Sequence, residues 1–341
     1  MFLNKYQLIA AILCISALFI YFDSKSQNQN IEEYQLVIAF GSCSDEDRKQ
    51  KLWKDILKEE ADIWIWLGDN IYGDSEDPAV LRDKYRIQKS HPDYQSMIQT
   101  MDIMGTWDDH DYGVNDGGKE FPAKQASQKA LLDFLDAGSD DIRRTREGVF
   151  YDRLINIGQL KVHILLLDTR YFRDPLKKED NKNVPNLEGS ILGPDQWQWL
   201  EHRIKDIQSD VNIVASSIQA IPQEHRFEKW ANFPKERDKL FKLLLADDTQ
   251  ENIIISGDRH IGEISQVDYN GSRIYDITSS SLTHGWKTRR QEANRHRIGE
   301  IVYDENYGLI SISKKENKTN ISAMIKSGYN KIMSKIDIDG K

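Results

Sequence analysis

Short apolar runs rich in β-branched and aromatic residues recur along the chain and are typical of buried strands. They predict strands at residues 35–40, 63–67, 162–167, 211–215 and 252–255. Amphipathic stretches between them predict helices at residues 48–58 and 194–207, the second beginning with a proline and an acidic residue. The alternation of strands and helices indicates a layered α/β fold.

The N-terminal residues follow a different pattern. Lys5 precedes an apolar run from Leu8 to Phe22, which gives way abruptly to the polar residues 23–30. This pattern predicts a signal peptide or N-terminal membrane anchor over residues 1–30, with membrane association through residues 6–22 if the segment is not cleaved. We therefore expect an exported protein that is periplasmic, extracellular or anchored to the membrane.

The remaining chain is long enough for a sizeable core, and we predict one domain at residues 31–325. A basic C-terminal tail is predicted at residues 326–341; we expect it to be solvated, with an edge hairpin or contact with anionic lipid as alternatives. The formal net charge of the chain is -9, which disfavours nucleic acid as a partner and is compatible with bound cations. We expect a monomer.

Side chains that can bind metals follow the predicted strands. Open α/β sheets place their ligand sites at such strand ends. The candidates combine a thiol, a phenol, carboxylates and an imidazole, and they are Cys43, Asp69, Tyr72, Asp109, Asp258 and His260. Zinc alone usually takes nitrogen and sulfur ligands, whereas Fe(III) favours phenolate and hard oxygens, and so large a set indicates two metals. Core packing of Cys43 and Tyr72, a turn cap at Asp69 and a buried structural role for His260 are the alternatives.

The motifs GSC, GDNIY, WDDHDYG, LLDTRYFR, LGPDQWQWLE, NFPKERDKL and SGDRH occur in this order. With them the chain resembles the alkaline phosphatase D (PhoD-like) family of metallophosphatases, from about residue 40 to residue 312. The resemblance implies a four-layer α/β/β/α sandwich with mixed sheets and a dinuclear metal centre. It also implies hydrolysis of a phosphate ester by a metal-bridging hydroxide, without a covalent phosphoenzyme.

The resemblance implies a role for each motif residue. Cys43 stands where the wider superfamily has Asp-x-His and becomes a ligand, Asp69 corresponds to the bridging aspartate, and Tyr72 to the phenolate ligand of ferric iron. The other implied metal ligands are Asp109, Asn115, Asp258 and His260. The expected metals are Fe(III) and Ca(II), with Mg(II), Mn(II) or Zn(II) as alternatives, because the loop after residue 215 lacks the superfamily's further histidine.

His110, beside Asp109, is implied to assist the leaving oxygen, and both are the expected catalytic residues. For the substrate phosphate we expect Arg82, Arg170 and His284 as contacts, with Trp286 in the same loop as His284 and ion pairs as the alternative role of the arginines. Asp108 and Asp111 are expected to shape the loop rather than to bind metal. A phosphodiesterase or phospholipase D-like hydrolase, and a non-catalytic exported metal-binding protein, are the alternative functions.

Overall fold

The computed structural model describes residues 33–180, 182–247, 249–269, 271–286, 291–316 and 318–340. The predicted signal or anchor at residues 1–30 lies outside this part of the chain. None of the helices in the described ranges is long and apolar enough to cross a membrane.

The described residues form fifteen strands and seven α-helices. The strands are β1 (Tyr34–Gly41), β2 (Ile63–Leu67), β3 (Asp102–Thr106), β4 (Tyr151–Ile157), β5 (Leu160–Leu166), β6 (Lys177–Glu179), β7 (Lys182–Val184), β8 (Val211–Ser216), β9 (Glu251–Ser256), β10 (Gly262–Tyr269), β11 (Ser272–Ser279), β12 (Arg297–Val302), β13 (Asn306–Lys315), β14 (Lys318–Ser327) and β15 (Lys331–Asp339). The helices are α1 (Trp53–Leu57), α2 (Pro78–Ser90), α3 (Pro92–Thr100), α4 (Asp109–Tyr112), α5 (Lys124–Phe134), α6 (Gly193–Asp206) and α7 (Pro234–Leu244).

Two mixed sheets dominate the fold. The first has the order β15-β14-β13-β1-β2-β3, and the second has the order β12-β10-β11-β9-β8-β5-β4. In the first sheet β1, β2 and β3 are parallel, and in the second β5, β8, β9 and β11 are parallel. The short strands β6 and β7 form a separate hairpin.

The two sheets pack face to face. Side chains such as Ile38 of β1 and Ile65 of β2 belong to the same buried cluster as Ile164 of β5 and Ile253 of β9. A strand that is buried on both faces of its sheet has a continuous apolar sequence, so such strands can be predicted from the sequence. The five predicted strands correspond to β1, β2, β5, β8 and β9 and are confirmed.

Helices cover the outer faces of both sheets. On the first sheet, Trp64 and Trp66 of β2 pack against Trp53 of α1, with ring centroids 5.1 and 5.3 Å from that of Trp53. On the second sheet, residues of β5, β8 and β9 form a third buried cluster with α6 and α7. The predicted α/β/β/α arrangement of four layers is therefore confirmed.

The predicted helices agree with the structure to different degrees. The helix predicted at 194–207 is α6. The helix predicted at 48–58 is shorter, because α1 begins only at Trp53. The Asp45 side chain accepts hydrogen bonds from the Asp47 backbone and from Arg48 Nε, so the preceding residues form a turn instead of a helix.

The segment predicted as a C-terminal tail, 326–341, requires a correction. Ser327 is the last residue of β14, and β15 pairs antiparallel with β14 from Lys331 to Asp339, as the edge strand of the first sheet. Ile338 of β15 is 6% exposed and belongs to the cluster between the two sheets. A boundary at residue 325 would cut through a strand, because the pairing that orders this segment is not local in sequence.

The position of β15 predicts unequal effects for a buried and an exposed isoleucine. Ile338→Ala should lower the free energy of unfolding by about 2–4 kcal/mol, because it removes buried methyl groups and leaves a cavity. Ile332→Ala, at a side chain that is 51% exposed, should change it by less than about 0.5 kcal/mol. Urea unfolding of both variants measures the difference, and equal small effects would mean that β15 does not dock on the core.

Candidate active site

Side chains that can bind metals converge where the parallel strands of both sheets end. Cys43 follows β1, Asp69 follows β2, Asp109 opens α4 after β3, and Asp258 and His260 follow β9. The strand ends meet closely. A Cβ atom on Gly257 would lie 2.6 Å from Ser42 Oγ after β1 and 3.0 Å from the Leu67 carbonyl of β2.

Five of the predicted ligands, together with His110 and Asp108, form three overlapping donor groups, in each of which the possible ligand atoms lie within 4.8 Å of one another. The groups are Cys43 with Asp69 and His260, Asp69 with Asp109 and His110, and Asp108 with Asp109 and Asp258. Tyr72 joins the first group, since its hydroxyl lies 3.2 Å from His260 Nε2 and 3.4 Å from Asp69 Oδ2. Asp69 and Asp109 thus connect all three groups.

Several of these residues have a backbone conformation that side chains disfavour. Cys43, Asp69, Asp258 and His260 have φ angles of 58, 48, 69 and 55°. Left-handed non-glycine residues cost on the order of 1–3 kcal/mol each and persist only where the surrounding structure enforces them. The strand-end turns therefore place these side chains toward one another at the expense of stability.

Asp111 fixes the loops that carry the cluster. Its carboxylate accepts hydrogen bonds from the backbone amides of Asp69, Asn70 and Asp108, at 3.2, 3.3 and 2.6 Å, and from the Tyr85 hydroxyl at 3.2 Å. With these donors filling its oxygens, Asp111 shapes the loop, as expected from the sequence.

Burial dominates the electrostatics of the cluster. It raises the pKa of Asp69 well above its usual value, and the Cys43 and Asp109 charges raise it further. Burial likewise raises the pKa of Asp258, with Asp108 and Asp109 adding to the effect, and raises the pKa of Cys43 to about 11. Burial, together with the electrostatic interactions with His284 and His110, lowers the pKa of His260 to about 3, which favours the neutral imidazole. A neutral imidazole is the form that binds metals.

The donor set fits bound cations. Asp109 Oδ1 and Asp108 Oδ2 are buried and have no hydrogen-bond partner among the described residues. Buried carboxylate oxygens without partners are costly unless a cation or a proton compensates them. A thiol, a phenol, an imidazole and several carboxylates together offer both the softer and the harder donors that two different metals require.

A cleft of about 500 Å³ opens over the cluster. Asp69, Asp109, Asp258 and His260 line it, together with His110 and with Asn115, the weaker ligand candidate. The other lining residues are Asp116, Lys178, Asn183, Arg226, Phe227, Glu228, Arg259 and Trp286.

His110 lies in the cleft beside the cluster. Its Nδ1 is 2.8 and 2.9 Å from the two carboxylate oxygens of Asp74, and its ring packs 4.3 Å from that of Tyr72. Burial lowers the pKa of His110, but the hydrogen bond with Asp74 and the charges of Asp69 and Asp109 raise it to about 10. The hydrogen bond with Asp74 therefore fixes the ring and favours its protonated form next to the carboxylates.

The sequence model of the PhoD-like phosphatase family matches residues 38–326. The chain belongs to the PhoD-like phosphatase family. Among solved structures, that of PhoD superposes with a TM-score of 0.72 at 16% identity, covering 90% of this chain and 72% of PhoD, which shows a common fold. No curated protein sequence matches the chain.

Two further solved structures are more distant. TT1561 of Thermus thermophilus has a TM-score of 0.38 at 10% identity and covers 73% of this chain and 91% of its own. A Vps29 double mutant from Entamoeba histolytica has a TM-score of 0.30 at 9% identity and covers 90% of this chain and 99% of its own. Similarity this weak adds nothing to the assignment.

The structure of this PhoD-like phosphatase does not place Arg170 in the cleft. The guanidinium is fully buried and binds Asp108 Oδ1 through Nε and Nη2, at 2.7 and 2.5 Å, and Glu228 through Nη1 at 2.6 Å. Because both carboxylates occupy its fork, it is a structural ion pair rather than a phosphate ligand. From its buried position outside the cleft lining, Arg170 still affects the charge of the cluster. Although burial raises the pKa of Asp109, Arg170 and His110 hold it below the usual value.

Arg82 and His284 differ in their distance from the cluster. Arg82 is exposed on α2 and lines another cavity, with Arg86 and Asp133, so the structure places it outside the lining of the cleft. The His284 ring lies 4.5 Å from that of His260 and 5.1 Å from that of Tyr72, beside the cluster but outside the lining of the cleft.

Sequence reasoning missed the positive residues that do line the cleft. Arg226 and Phe227 lie in the loop after β8, and Arg259 lies inside the SGDRH motif, where only its neighbours were assigned a role. The signal available in the sequence was HRFEK, residues 225–229, a run of charges in a loop that follows a buried parallel strand. Trp286, expected at the cleft together with His284, does line it.

The positions of Arg170 and Arg82 predict opposite results for their replacement. Arg170→Met should destabilise this PhoD-like phosphatase by about 3–5 kcal/mol, because it leaves buried carboxylates without a counter-charge. Arg82→Met should change neither the free energy of unfolding nor kcat/KM by more than experimental error. Denaturant unfolding and steady-state kinetics measure both, and a loss of kcat/KM in a stably folded Arg82→Met variant would return Arg82 to the site.

Proposed function

We propose that this PhoD-like phosphatase hydrolyses phosphate esters at a dinuclear metal centre, without a covalent phosphoenzyme. The observation that carries the proposal is the overlap of the three donor groups through Asp69 and Asp109. Side chains shared in this way allow two cations to be held together in one cleft, as in two-metal hydrolases. The family match supports the reaction class, and the cluster supports metal dependence.

The donors divide by chemistry. Cys43, Tyr72 and His260 would hold Fe(III) together with Asp69, because phenolate favours ferric iron. Oxygen donors, from Asp109, Asp258 and Asn115, suit Ca(II), with Mg(II), Mn(II) or Zn(II) as alternatives. When bound, the two metals supply a hydroxide nucleophile near neutral pH and positive charge opposite the phosphoryl oxygens.

His110 supplies a proton to the leaving oxygen. Asp74 holds its Nδ1, so Nε2–H is the donor available to the substrate. The imidazolium also adds positive charge beside the reacting phosphate before the proton moves. Asp109 would contribute to the reaction by holding a metal beside His110.

Direct hydrolysis is favoured over a covalent intermediate. Ser42 Oγ lies 3.3 Å from the Ser279 carbonyl, Ser256 Oγ donates to Asp276 at 2.6 Å, and Ser217 Oγ donates to Asp108 at 2.5 Å. A serine nucleophile must reach the substrate, whereas these three residues are fully buried and none of them lines the cleft. They are structural residues of the strand ends.

The same centre could act on phosphate diesters, since the reacting phosphate meets the same groups. Relative kcat/KM on a monoester and on a diester distinguishes the two. We further propose that the protein is exported, on the strength of the apolar run from Leu8 to Phe22 after Lys5, and that it acts as a monomer.

Metal loading gives the first test of the proposal. The purified protein should contain stoichiometric iron and show a visible tyrosinate-to-iron charge-transfer band, which Tyr72→Phe abolishes and Cys43→Ala diminishes. Tyr329→Phe, at a tyrosine that is 96% exposed, is the matched control and should retain the band. A band of the same intensity in Tyr72→Phe would remove Tyr72 from the ligands.

Replacement of His110 gives the second test. His110→Asn should lower kcat for a phosphate ester by about 10²–10⁴-fold, the usual contribution of a general acid, while the metal content stays at the wild-type level. His202→Gln, at an exposed histidine of α6, is the control and should keep the wild-type kcat. Wild-type kcat in metal-loaded His110→Asn would overturn the role of His110.

A further inference from the structure

The lining of the cleft carries positive charge as well as carboxylates. Arg226 and Arg259 line it, and the same two arginines, with Phe227 and Trp286, also line a smaller cavity of about 140 Å³. The shared residues make the smaller cavity a side pocket of the cleft. Ile261 and Ile301 contribute apolar surface to it.

Arg259 has a donor that the protein leaves unused. The residue is 2% exposed, and its guanidinium stacks 4.3 Å from the centre of the Phe227 ring and forms an ion pair with Glu292. Its Nε is buried and has no hydrogen-bond partner among the described residues. A buried charged donor without an acceptor is costly, so this position favours an incoming anion.

Arg226 is placed on the same aromatic ring. Its guanidinium lies 5.0 Å from the Phe227 ring centre, and no carboxylate in the described part of the chain pairs with it. Its backbone carbonyl accepts a hydrogen bond from Asn183 Nδ2 at 3.4 Å, which connects it to the β6–β7 hairpin. By contrast, Lys178 on the same lining pairs with Asp116 at 3.1 Å.

Two aromatic side chains form an apolar surface beside the guanidinium groups of Arg226 and Arg259. Phe227 and Trp286 pack edge to face, with ring centroids 5.2 Å apart, and the Trp286 indole donates to the Arg259 carbonyl at 2.7 Å. This gives a rigid apolar surface next to guanidinium donors. Such a combination fits an organic group that ends in an anion, since guanidinium binds carboxylate and phosphate oxygens in pairs.

We infer that Arg226, Phe227, Arg259 and Trp286 form a subsite for a second anionic group on the alcohol part of the substrate. The preferred substrates are therefore phosphate esters whose leaving group carries a carboxylate or a further phosphate. The inference rests on the proposed function in one respect, namely that the reacting phosphate binds at the metal centre. Two rival explanations are a solvated surface role for Arg226 and full neutralisation of Arg259 by Glu292.

A comparison of a charged and an uncharged substrate distinguishes the subsite from both rival explanations. The substrates are 4-carboxyphenyl phosphate and 4-carbamoylphenyl phosphate, which match in size and aromatic character and differ in charge. The wild type should prefer the carboxylate member by kcat/KM, and Arg226→Ala should reduce that preference about tenfold, with Arg226→Lys in between. Arg226 is exposed, so its replacement should not impair folding.

The matched control is Arg86→Ala, an exposed arginine of α2 whose ion pair with Asp83 spans 3.5 Å. It should keep the wild-type preference. Differences in leaving-group reactivity cancel, because only the ratio of the two substrates is compared between variants. An unchanged ratio in Arg226→Ala would overturn the subsite.

Binding of inhibitors that cannot be hydrolysed separates failure of the subsite from failure of the proposed function. Calorimetry should show that the wild type binds 4-carboxybenzylphosphonate about tenfold more tightly than 4-carbamoylbenzylphosphonate, and that Arg226→Ala binds both alike. Charge-dependent binding without hydrolysis of any ester would refute the phosphatase but retain the subsite. Hydrolysis without charge preference in either assay would retain the phosphatase and refute the subsite.

Discussion

Repulsion among carboxylates buried at the meeting of two sheets is the constraint on which the site depends. Asp69, Asp108 and Asp109 are buried and Asp258 lines the cleft beside them, and burial raises the pKa of Asp69, Asp108 and Asp258. The protein offsets only part of this charge, through Arg170 on the side away from the cleft and His110 beside the carboxylates. The negative charge that remains favours cations in the cleft. A bound cation would therefore also stabilise the folded strand ends.

The four layers make this arrangement possible. Four residues of the site have left-handed backbone conformations, and Gly68 must have one too, with φ +93° and room for no Cβ because Asp108 lies against it. Large apolar clusters on both faces of each sheet hold the strands that lead into these turns. A rigid scaffold with strained ends is a common way of pre-organising a site, since the core compensates for the local strain.

The arginines of this chain have two different uses. Arg170 and Arg173 are fully buried and both form ion pairs with Glu228, so buried carboxylates of the protein neutralise their charge. Arg226 and Arg259 line the cleft and lie against one phenylalanine, and Arg259 also forms an ion pair with Glu292. A guanidinium is a structural counter-ion where carboxylates of the protein occupy its fork, as at Arg170. At Arg226, and at the Nε of Arg259, the described residues leave donors for an anion.

The sequence by itself determined the central strands and the side chains that follow them. Buried parallel strands are apolar on both faces, and their polar ends are adjacent in sequence, so Cys43, Asp69 and Asp258 could be predicted from local pattern. The roles of Arg82, Arg170 and Arg226 could not, because an arginine has the same sequence signature whether it faces solvent, a buried carboxylate or a cleft. Tertiary structure alone decided these, as it decided that residues 331–339 form an edge strand, since both depend on contacts between segments far apart in the chain.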